Sequence, residues 1–160
     1  MFREGELGVF NFYGWQESLA VRAVNDTYKG IITPCDLYDA LTHVWCEYSC
    51  TPRLRADWSQ SNPTLGQCAI TSFLAQDIFG GKVFGIPQDS GNFHCYNFVD
   101  GISFDLTSEQ FKGETLVYTK NFEQSRDIHF ARTEKKERYD YLKAELLKFC
   151  THSEISQTRS

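Results

Sequence analysis

Residues 93–106 read FHCYNFVDGISFDL and contain two runs of aromatic and β-branched residues on either side of Asp100-Gly101. An Asp-Gly dipeptide favours a two-residue type I′ turn, because both turn positions take positive φ. The pattern therefore predicts an antiparallel hairpin with strands 93–99 and 102–106. The turn sets the register of the two strands: Val99 pairs with Ile102, Phe98 with Ser103, Asn97 with Phe104, and Tyr96 with Asp105.

This register places a histidine and a carboxylate on one face of the sheet. Side chains alternate along a strand, so His94 and Tyr96 share a face with Asp105, whereas Cys95 and Asn97 point to the other face. Asp105 lies diagonally opposite His94, at the ~7–8 Å separation of Cβ atoms across which long side chains still meet. A carboxylate in that position can accept one N–H of an imidazole and hold the ring in one orientation. The hairpin therefore predicts that Asp105 orients His94.

Residues 65–79 are predicted to form a buried central helix that carries Cys68 in its first turn. Apolar residues surround much of its circumference, and Gly80-Gly81 can end it. A thiol reacts as the thiolate, and both a helix N-terminus and a neighbouring imidazolium stabilise that charge. We expect this helix to pack on the sheet face that carries His94, which would bring the thiol to the imidazole.

The rest of the chain completes an α+β domain. Helical and strand patterns predict five further elements: helices 15–28, 34–48 and 134–149 and strands 82–86 and 115–119. No repeat or long linker divides the chain, so we expect a single domain over residues 1–150. A disordered tail is expected at 151–160.

The composition excludes several classes of protein. The 160 residues are 41% hydrophobic and carry a net charge of -5 without a basic stripe, so nucleic-acid binding is not predicted. No apolar run approaches the ~20 residues of a membrane span, and the first residues, MFREGELGVF, lack the apolar region of a signal peptide. We therefore expect no membrane partner and a cytoplasmic location. The sequence indicates no oligomeric state.

The six cysteines are predicted to be reduced thiols. They form no C-x-x-C pair, and a chain of this size and apolar content has no need of disulfides. Cys68, His94, Cys95 and Asp105 are all possible zinc ligands. Strand alternation points His94 and Cys95 away from each other, which disfavours a shared ion, so metal binding is kept only as an alternative. No cofactor is implied.

Three segments carry a resemblance to a known family: GQCAITS at 66–72, HCYN at 94–97 and FDLTSEQF at 104–111. They resemble the YunG-type family of small uncharacterised bacterial proteins and, more loosely, the papain-like and transglutaminase-like superfamily of cysteine enzymes. The resemblance covers residues 58–111 and implies a papain-like, transglutaminase-core-like fold. In that fold, N-terminal helices precede a central cysteine-bearing helix packed on an antiparallel sheet, and a C-terminal helix follows.

The same resemblance implies Cys68 as nucleophile, His94 as general base and acid, and Asp105 as the group that orients the histidine. This sequence departs from the transglutaminase pattern at two places. Ala69 stands where an aromatic residue commonly follows the cysteine, and Tyr96 stands where a tryptophan near the histidine is common. The departures leave the three site residues in place and leave the substrate class open.

The residues together predict a thiol-dependent hydrolase or acyl-transfer enzyme of the peptidase, amidase or deamidase class. It would act on a peptide or small amide through a thioester. The backbone N–H of Cys68 is the expected first donor to the oxyanion, and Tyr96 is a candidate residue of the substrate pocket. The candidates for a second oxyanion donor are Asn62, which is slightly favoured, Gln60, Gln67 and Trp58. A binding module that keeps the fold without turnover is the main alternative.

Overall fold

The predicted hairpin is present in the computed structural model, which describes residues 10–159. Asp100 and Gly101 have φ values of 51° and 81°, the positive values that a type I′ turn needs. The register is confirmed for the three pairs Val99 with Ile102, Phe98 with Ser103 and Asn97 with Phe104. Residues 1–9 of the predicted domain and residue 160 of the predicted tail lie outside the described residues.

The hairpin is part of a four-stranded antiparallel sheet. The strands are β1, Lys82–Pro87, β2, Phe93–Val99, β3, Ile102–Phe104, and β4, Phe122–Glu123, in the spatial order β3-β2-β1-β4. β1 confirms the predicted strand 82–86, whereas the predicted strand 115–119 is wrong. The carbonyl groups of Val117 and Tyr118 accept hydrogen bonds from side chains of Asn121 and Tyr96, so this backbone is held by side chains instead of a β-ladder.

Five α-helices and two short 3-10 helices lie between residues 10 and 159. The α-helices are α1, Trp15–Ser18, α2, Pro34–Leu41, α3, Cys68–Phe79, α4, Arg126–Phe130, and α5, Thr133–Arg159. Short 3-10 helices lie at Pro52–Asp57 and Ser108–Phe111. The sequence predicted no helix at the position of α4. Within the described range, every helix is too short or too polar to serve as a membrane span.

The first two predicted helices are shorter in the structure, and tertiary contacts account for the end of the first. α1 ends at Ser18 rather than at residue 28, because the backbone N–H groups of Ala23 and Val24 donate to the carbonyls of Ile32 and Ile78. α2 begins as predicted, with a capping box at its start, but it ends before residue 48. Periodicity alone does not reveal these competing backbone partners.

α3 is buried between the sheet and α5. Most of its side chains are at most 3% exposed: Ile70, Thr71, Ser72, Phe73, Leu74, Ala75, Ile78 and Phe79. A helix that is apolar around its circumference belongs in the middle of a layered fold. α5 packs against α3 with the fully buried Leu142 and Leu146 in its buried face. It continues to Arg159, through most of the segment that the sequence favours as a disordered tail.

α3 packs on the sheet face opposite His94. Asn97 Nδ2 donates to the backbone oxygen of Ser72 on α3 at 2.8 Å, and strand alternation places Asn97 on the face away from His94. The expectation that α3 covers the His94 face is therefore wrong. Aromatic side chains cover that face instead, with Tyr96 packed edge-on against Tyr118. The first turn of α3 consequently reaches β2 at the end of the strand rather than across the middle of the sheet.

Candidate active site

Cys68 is the first residue of α3, one turn later than the predicted start of the helix. The N–H groups of the first turn have no partner within a helix, so they surround the thiol with donors. Gly66, two residues earlier, has a φ of 70°, and a Cβ there would lie 2.5 Å from the sulfur of Cys50. Only glycine fits this approach to the helix. The thiol of Cys68 itself is half-buried.

The sulfur of Cys68 meets β2 at its first three residues. It lies 3.9 Å from the backbone oxygen of Phe93, and the side chains of Cys95 and His94 are near enough to change its pKa. The hydrogen bond from Cys95, with the hydrogen bond and positive charge of His94, holds the pKa of Cys68 well below its usual value, against the effect of burial. The contact with Cys68, together with burial, raises the pKa of Cys95. These opposite shifts favour the thiolate at Cys68 and the thiol at Cys95.

His94 is paired with Asp105 inside the protein. His94 Nε2 lies 2.6 Å from Asp105 Oδ2, and the two side chains are 2% and 1% exposed. Burial opposes the charge on His94, but Asp105, with a smaller effect of Cys68, outweighs it and raises the pKa of His94 to about 10. Asp105 occupies Nε2, which leaves Nδ1 to face the thiol. Both pKa shifts therefore favour a Cys68 thiolate paired with a His94 imidazolium.

Three other residues hold Asp105 in place: Tyr118, Thr107 and Tyr13. Tyr118 Oη donates to Oδ2 at 2.7 Å, and the backbone N–H and hydroxyl of Thr107 donate to Oδ1 at 3.1 and 3.4 Å. The backbone N–H of Asp105 donates to the carbonyl of Tyr13 at 3.0 Å. Asp105 thus forms its β-bridge with Tyr13 and not with Tyr96, so the outermost pair of the predicted register is wrong. The hairpin bends there and still delivers the carboxylate to His94.

Tyr96, which is buried, and Tyr118, which is half-buried, form an aromatic support behind the carboxylate. Tyr118 stacks on Tyr13 with ring centroids 3.7 Å apart and meets Tyr96 edge-on at 5.0 Å. Burial and the adjacent Asp105 raise the pKa of Tyr118, so its hydroxyl remains a donor. Tyr96 is 3% exposed and does not line the cleft described below, so the structure places it away from the predicted substrate pocket.

Cys68 and His94 open onto a cleft of ≈ 910 Å³. This volume lies within the ~300–1,000 Å³ typical of small-ligand sites. One wall is the 3-10 helix that begins at Pro52, a second is the loop 88–93, and a third is built by α4 and the first turns of α5. Phe111 lines the cleft beside His94, with the two rings edge-on at 4.6 Å. The thiol is therefore accessible to a ligand of modest size.

The four predicted side-chain donors to an oxyanion lie outside this cleft. Trp58 Nε1 donates to the carbonyl of Pro63, and Gln67 is fully buried with its Nε2 bonded to the carbonyl of Cys46. Gln67 Oε1 has no hydrogen-bond partner among the described residues. Asn62 is part of a turn bridged to Ser59, and Gln60 is exposed in the same turn.

Gln110 is a cleft residue that sequence reasoning missed. Its Oε1 accepts the backbone N–H of Gly66 at 3.3 Å, and its Nε2 donates to the carbonyl of Thr107 at 3.0 Å. The side chain is thereby fixed next to the segment that leads into Cys68. It lies in the FDLTSEQF segment, but the run from Thr107 to Gln110 suggests only a capped turn when the sequence is considered alone.

A basic pair on the third wall was also missed. Lys135 Nζ donates to His129 Nδ1 at 2.8 Å, and His129 Nε2 lies 2.8 Å from Gln124 Oε1. All three side chains line the cleft. Neither residue follows a motif in the sequence, and α4, which carries His129, is too short to have a clear periodicity. Only the packing of α4 and α5 reveals their position.

The described residues contain no group of three or more His, Cys, Asp or Glu side chains arranged to hold a metal ion. His94 belongs both to the predicted triad and to the possible zinc set, and its Nε2 lies 2.6 Å from Asp105 Oδ2.

Comparison of the sequence with known proteins identifies a family to which it is similar. No solved structure matches the chain significantly. The uncharacterized protein YunG of Bacillus subtilis (strain 168) is 35% identical over 86 residues, which cover 54% of this chain and 71% of that protein. The model of the YunG protein family matches residues 33–151, a span that includes Cys68, His94 and Asp105. Because this match extends over well more than half of the sequence, the chain belongs to the YunG family.

Proposed function

We propose that this protein is a thiol-dependent hydrolase or acyl-transfer enzyme with a papain-like, transglutaminase-core-like arrangement. Cys68 is the nucleophile, His94 the general acid and base, and Asp105 the residue that positions His94. The observation that supports this most is the chain of contacts from the sulfur at the start of α3 to His94 and on to Asp105, 2.6 Å away. The pair Cys68 and His94 faces a cleft, as a catalytic pair must.

The reaction uses groups that the site holds. The Cys68 thiolate attacks the carbonyl carbon of an amide, and the carbonyl electron pair moves to oxygen. The oxyanion collapses, the C–N bond breaks, and His94 gives its proton to the departing amine, leaving a thioester on Cys68. Water then attacks the thioester while His94 takes its proton, the C–S bond breaks, and a carboxylic acid leaves. An amine in place of water gives acyl transfer.

The oxyanion is stabilised by N–H groups that point to the place where the charge develops. The backbone N–H of Cys68 is the first donor, because it belongs to the unpaired first turn of α3. We assign the second to Gln110 Nε2, which has one N–H left after its bond to the carbonyl of Thr107. Its anchoring to Gly66 keeps this amide beside the nucleophile.

A peptide or small amide is the substrate class that this chemistry implies. All six cysteines are free thiols, which fits a reducing compartment such as the cytoplasm. An activated thiolate also persists best where thiols are kept reduced.

The proposal is tested by trapping the acyl-enzyme with p-nitrophenyl acetate and locating the acetyl group by peptide mass mapping. We expect the adduct on Cys68 to form ahead of the other five thiols and then to be released by water or an added amine. Cys68→Ala and Cys68→Ser should abolish it, whereas Cys46→Ser, at the other half-buried thiol, should not. An adduct that persists in Cys68→Ala refutes the nucleophile. An adduct on Cys68 that is never released identifies a binding module without turnover.

A further inference from the structure

The cleft is more positive than the protein that contains it. The chain has a net charge of -5. Apart from the pair Cys68 and His94, six charged side chains line the cleft: Arg53, Arg132, Lys135, Arg138, Asp89 and Glu134. Arg138 and Glu134 form an ion pair with each other. Three cations and one carboxylate therefore remain to face a ligand.

Lys135 is the least exposed of these three cations, since Arg53 and Arg132 are exposed. It is half-buried, and no carboxylate lies within ion-pair distance of it among the residues that the structure describes. Burial and the charge of Lys135 lower the pKa of His129 to about 4, so His129 is neutral and accepts one hydrogen from the ammonium through Nδ1. Gln124 fixes that tautomer by accepting from Nε2. An ammonium has three donors, so two remain for a ligand.

The cation lies within electrostatic reach of the nucleophile. Burial lowers the pKa of Lys135, and the negative charge of the Cys95 and Cys68 pair acts against that effect. The thiolate already has His94 as its charge partner, so Lys135 is not needed to balance it. A half-buried cation without a carboxylate partner is costly unless a ligand completes the pair.

We propose that the cleft recognises substrates that carry a carboxylate next to the reacting carbonyl, with Lys135 as the main partner of that carboxylate and Arg132 as a second. This inference rests on the proposed function, because it assigns the substrate class of the same thiol. His129 and Gln124 are positioning residues, since they act on the substrate only through Lys135.

The experiment compares iodoacetate with iodoacetamide, two reagents of nearly the same shape that differ in one carboxylate. Their alkylation rates at Cys68 are measured by peptide mapping at about pH 7. We expect the rate ratio of iodoacetate to iodoacetamide to be higher at Cys68 than at Cys46 in the same protein. Lys135→Gln should lower the ratio at Cys68 about tenfold. Added salt should lower it as well, because it screens the cation.

Two further variants serve as controls. Lys135→Arg keeps the charge and should keep the ratio, and Lys148→Gln removes an exposed lysine of α5 outside the cleft and should leave it unchanged. Arg132→Gln, at an exposed position, should lower the ratio less and provides a test that does not depend on how well Lys135→Gln folds.

The outcomes separate this inference from the proposed function. If Lys135→Gln slows both reagents equally, Lys135 stabilises the Cys68 thiolate and does not bind the carboxylate of the reagent. That result overturns the inference and leaves Cys68 as the nucleophile. An unchanged ratio in both Lys135→Gln and Arg132→Gln also overturns it. If Cys68 is not alkylated ahead of Cys46 in the wild type, the proposed function fails, and the inference fails with it.

Discussion

Replacing Asp105 by Asn removes the negative charge from the buried pair of His94 and Asp105 and keeps the shape of the side chain. Asp105 accepts from His94 Nε2, Tyr118 and Thr107, and all of these donors require an acceptor. The Asn amide has an oxygen on one side and an NH₂ group on the other, so it can accept hydrogen bonds on one side only. If the amide nitrogen faces Nε2, the neutral ring of His94 carries its proton on Nδ1 and cannot take one from Cys68.

The size of the effect follows from the pKa of His94. Asp105 and Cys68 raise it from 6.5 to about 10 in spite of burial. That difference corresponds to about 4–5 kcal/mol at 1.36 kcal/mol per unit. Removing one partner of a buried ion pair costs a similar ~3–5 kcal/mol. Asp105 contributes more to the shift than Cys68, so we expect Asp105→Asn to lower the pKa of His94 by about two units or more.

The pH dependence has a defined sign. A histidine whose pKa is raised on folding stabilises the protein fully below its unfolded value of 6.5 and loses that contribution as the pH rises through about 10. Asp105→Asn should therefore destabilise the protein by about 3–5 kcal/mol near pH 6. The loss should shrink towards alkaline pH.

Two measurements check this prediction. The free energy of unfolding in urea is measured at several pH values, and the rate of Cys68 alkylation by iodoacetamide is followed from about pH 5 to about pH 9. At neutral pH the alkylation should slow about a hundredfold, because less thiolate is present. The matched control is Asp100→Asn, an exposed turn residue with φ 51° that Asn tolerates well. Unchanged alkylation and unchanged stability in Asp105→Asn would refute the ion pair as the source of activation.

Two further substitutions test the support of the site. Tyr118→Phe removes one donor to Asp105 but keeps the stacked ring, so we expect a loss of about 1–3 kcal/mol in the free energy of unfolding and slowing of Cys68 alkylation by less than about tenfold. Gly66→Ala adds a methyl group 2.5 Å from the Cys50 sulfur, and in urea it should cost about 1–3 kcal/mol more than Gly113→Ala, whose φ is also positive but whose surroundings are open. Equal losses in the two alanine variants would contradict the close packing before α3.

The hairpin is predictable because its information is local. Asp100-Gly101 specifies the turn, and the turn specifies which residues of the adjoining strands pair. The prediction fails only at Asp105, where Tyr13 becomes the backbone partner. Nothing near Asp105 in the sequence indicates a partner from the N-terminal region. A local pattern cannot reveal a bridge between segments so far apart.

The contact between Cys68 and His94 is present for a reason different from the expected one. The prediction placed α3 over the His94 face, whereas Asn97 and Ser72 show that it covers the opposite face. The two residues meet because Cys68 begins α3 and His94 lies near the start of β2. At the end of a strand, a side chain can reach past the sheet to a residue on its other side. The alternation of side chains between the two faces predicts contacts better in the middle of a strand than at its end. The catalytic roles of the three residues remain a prediction.

Gln110 and Lys135 show the limit of motif reasoning. Each is an ordinary polar residue in a polar segment. Gln110 reaches the cleft from a short 3-10 helix, and Lys135 reaches it from the first turn of α5. A sequence pattern can indicate which residue attacks, since that requires a particular side chain on a particular element. The residues that select a ligand come from whichever segments border the cleft.

The partners of Asp105 come from distant parts of the sequence, such as Tyr13 and Tyr118. This affects when the site can form during protein synthesis. Domains fold as units while the N-terminal part emerges first, so Cys68 leaves the ribosome before His94, Asp105 and Tyr118. Until those residues and Tyr13 come together, the sulfur is an ordinary, weakly reactive thiol. The lowered pKa of Cys68 therefore arises only after these separate segments of the chain have come together.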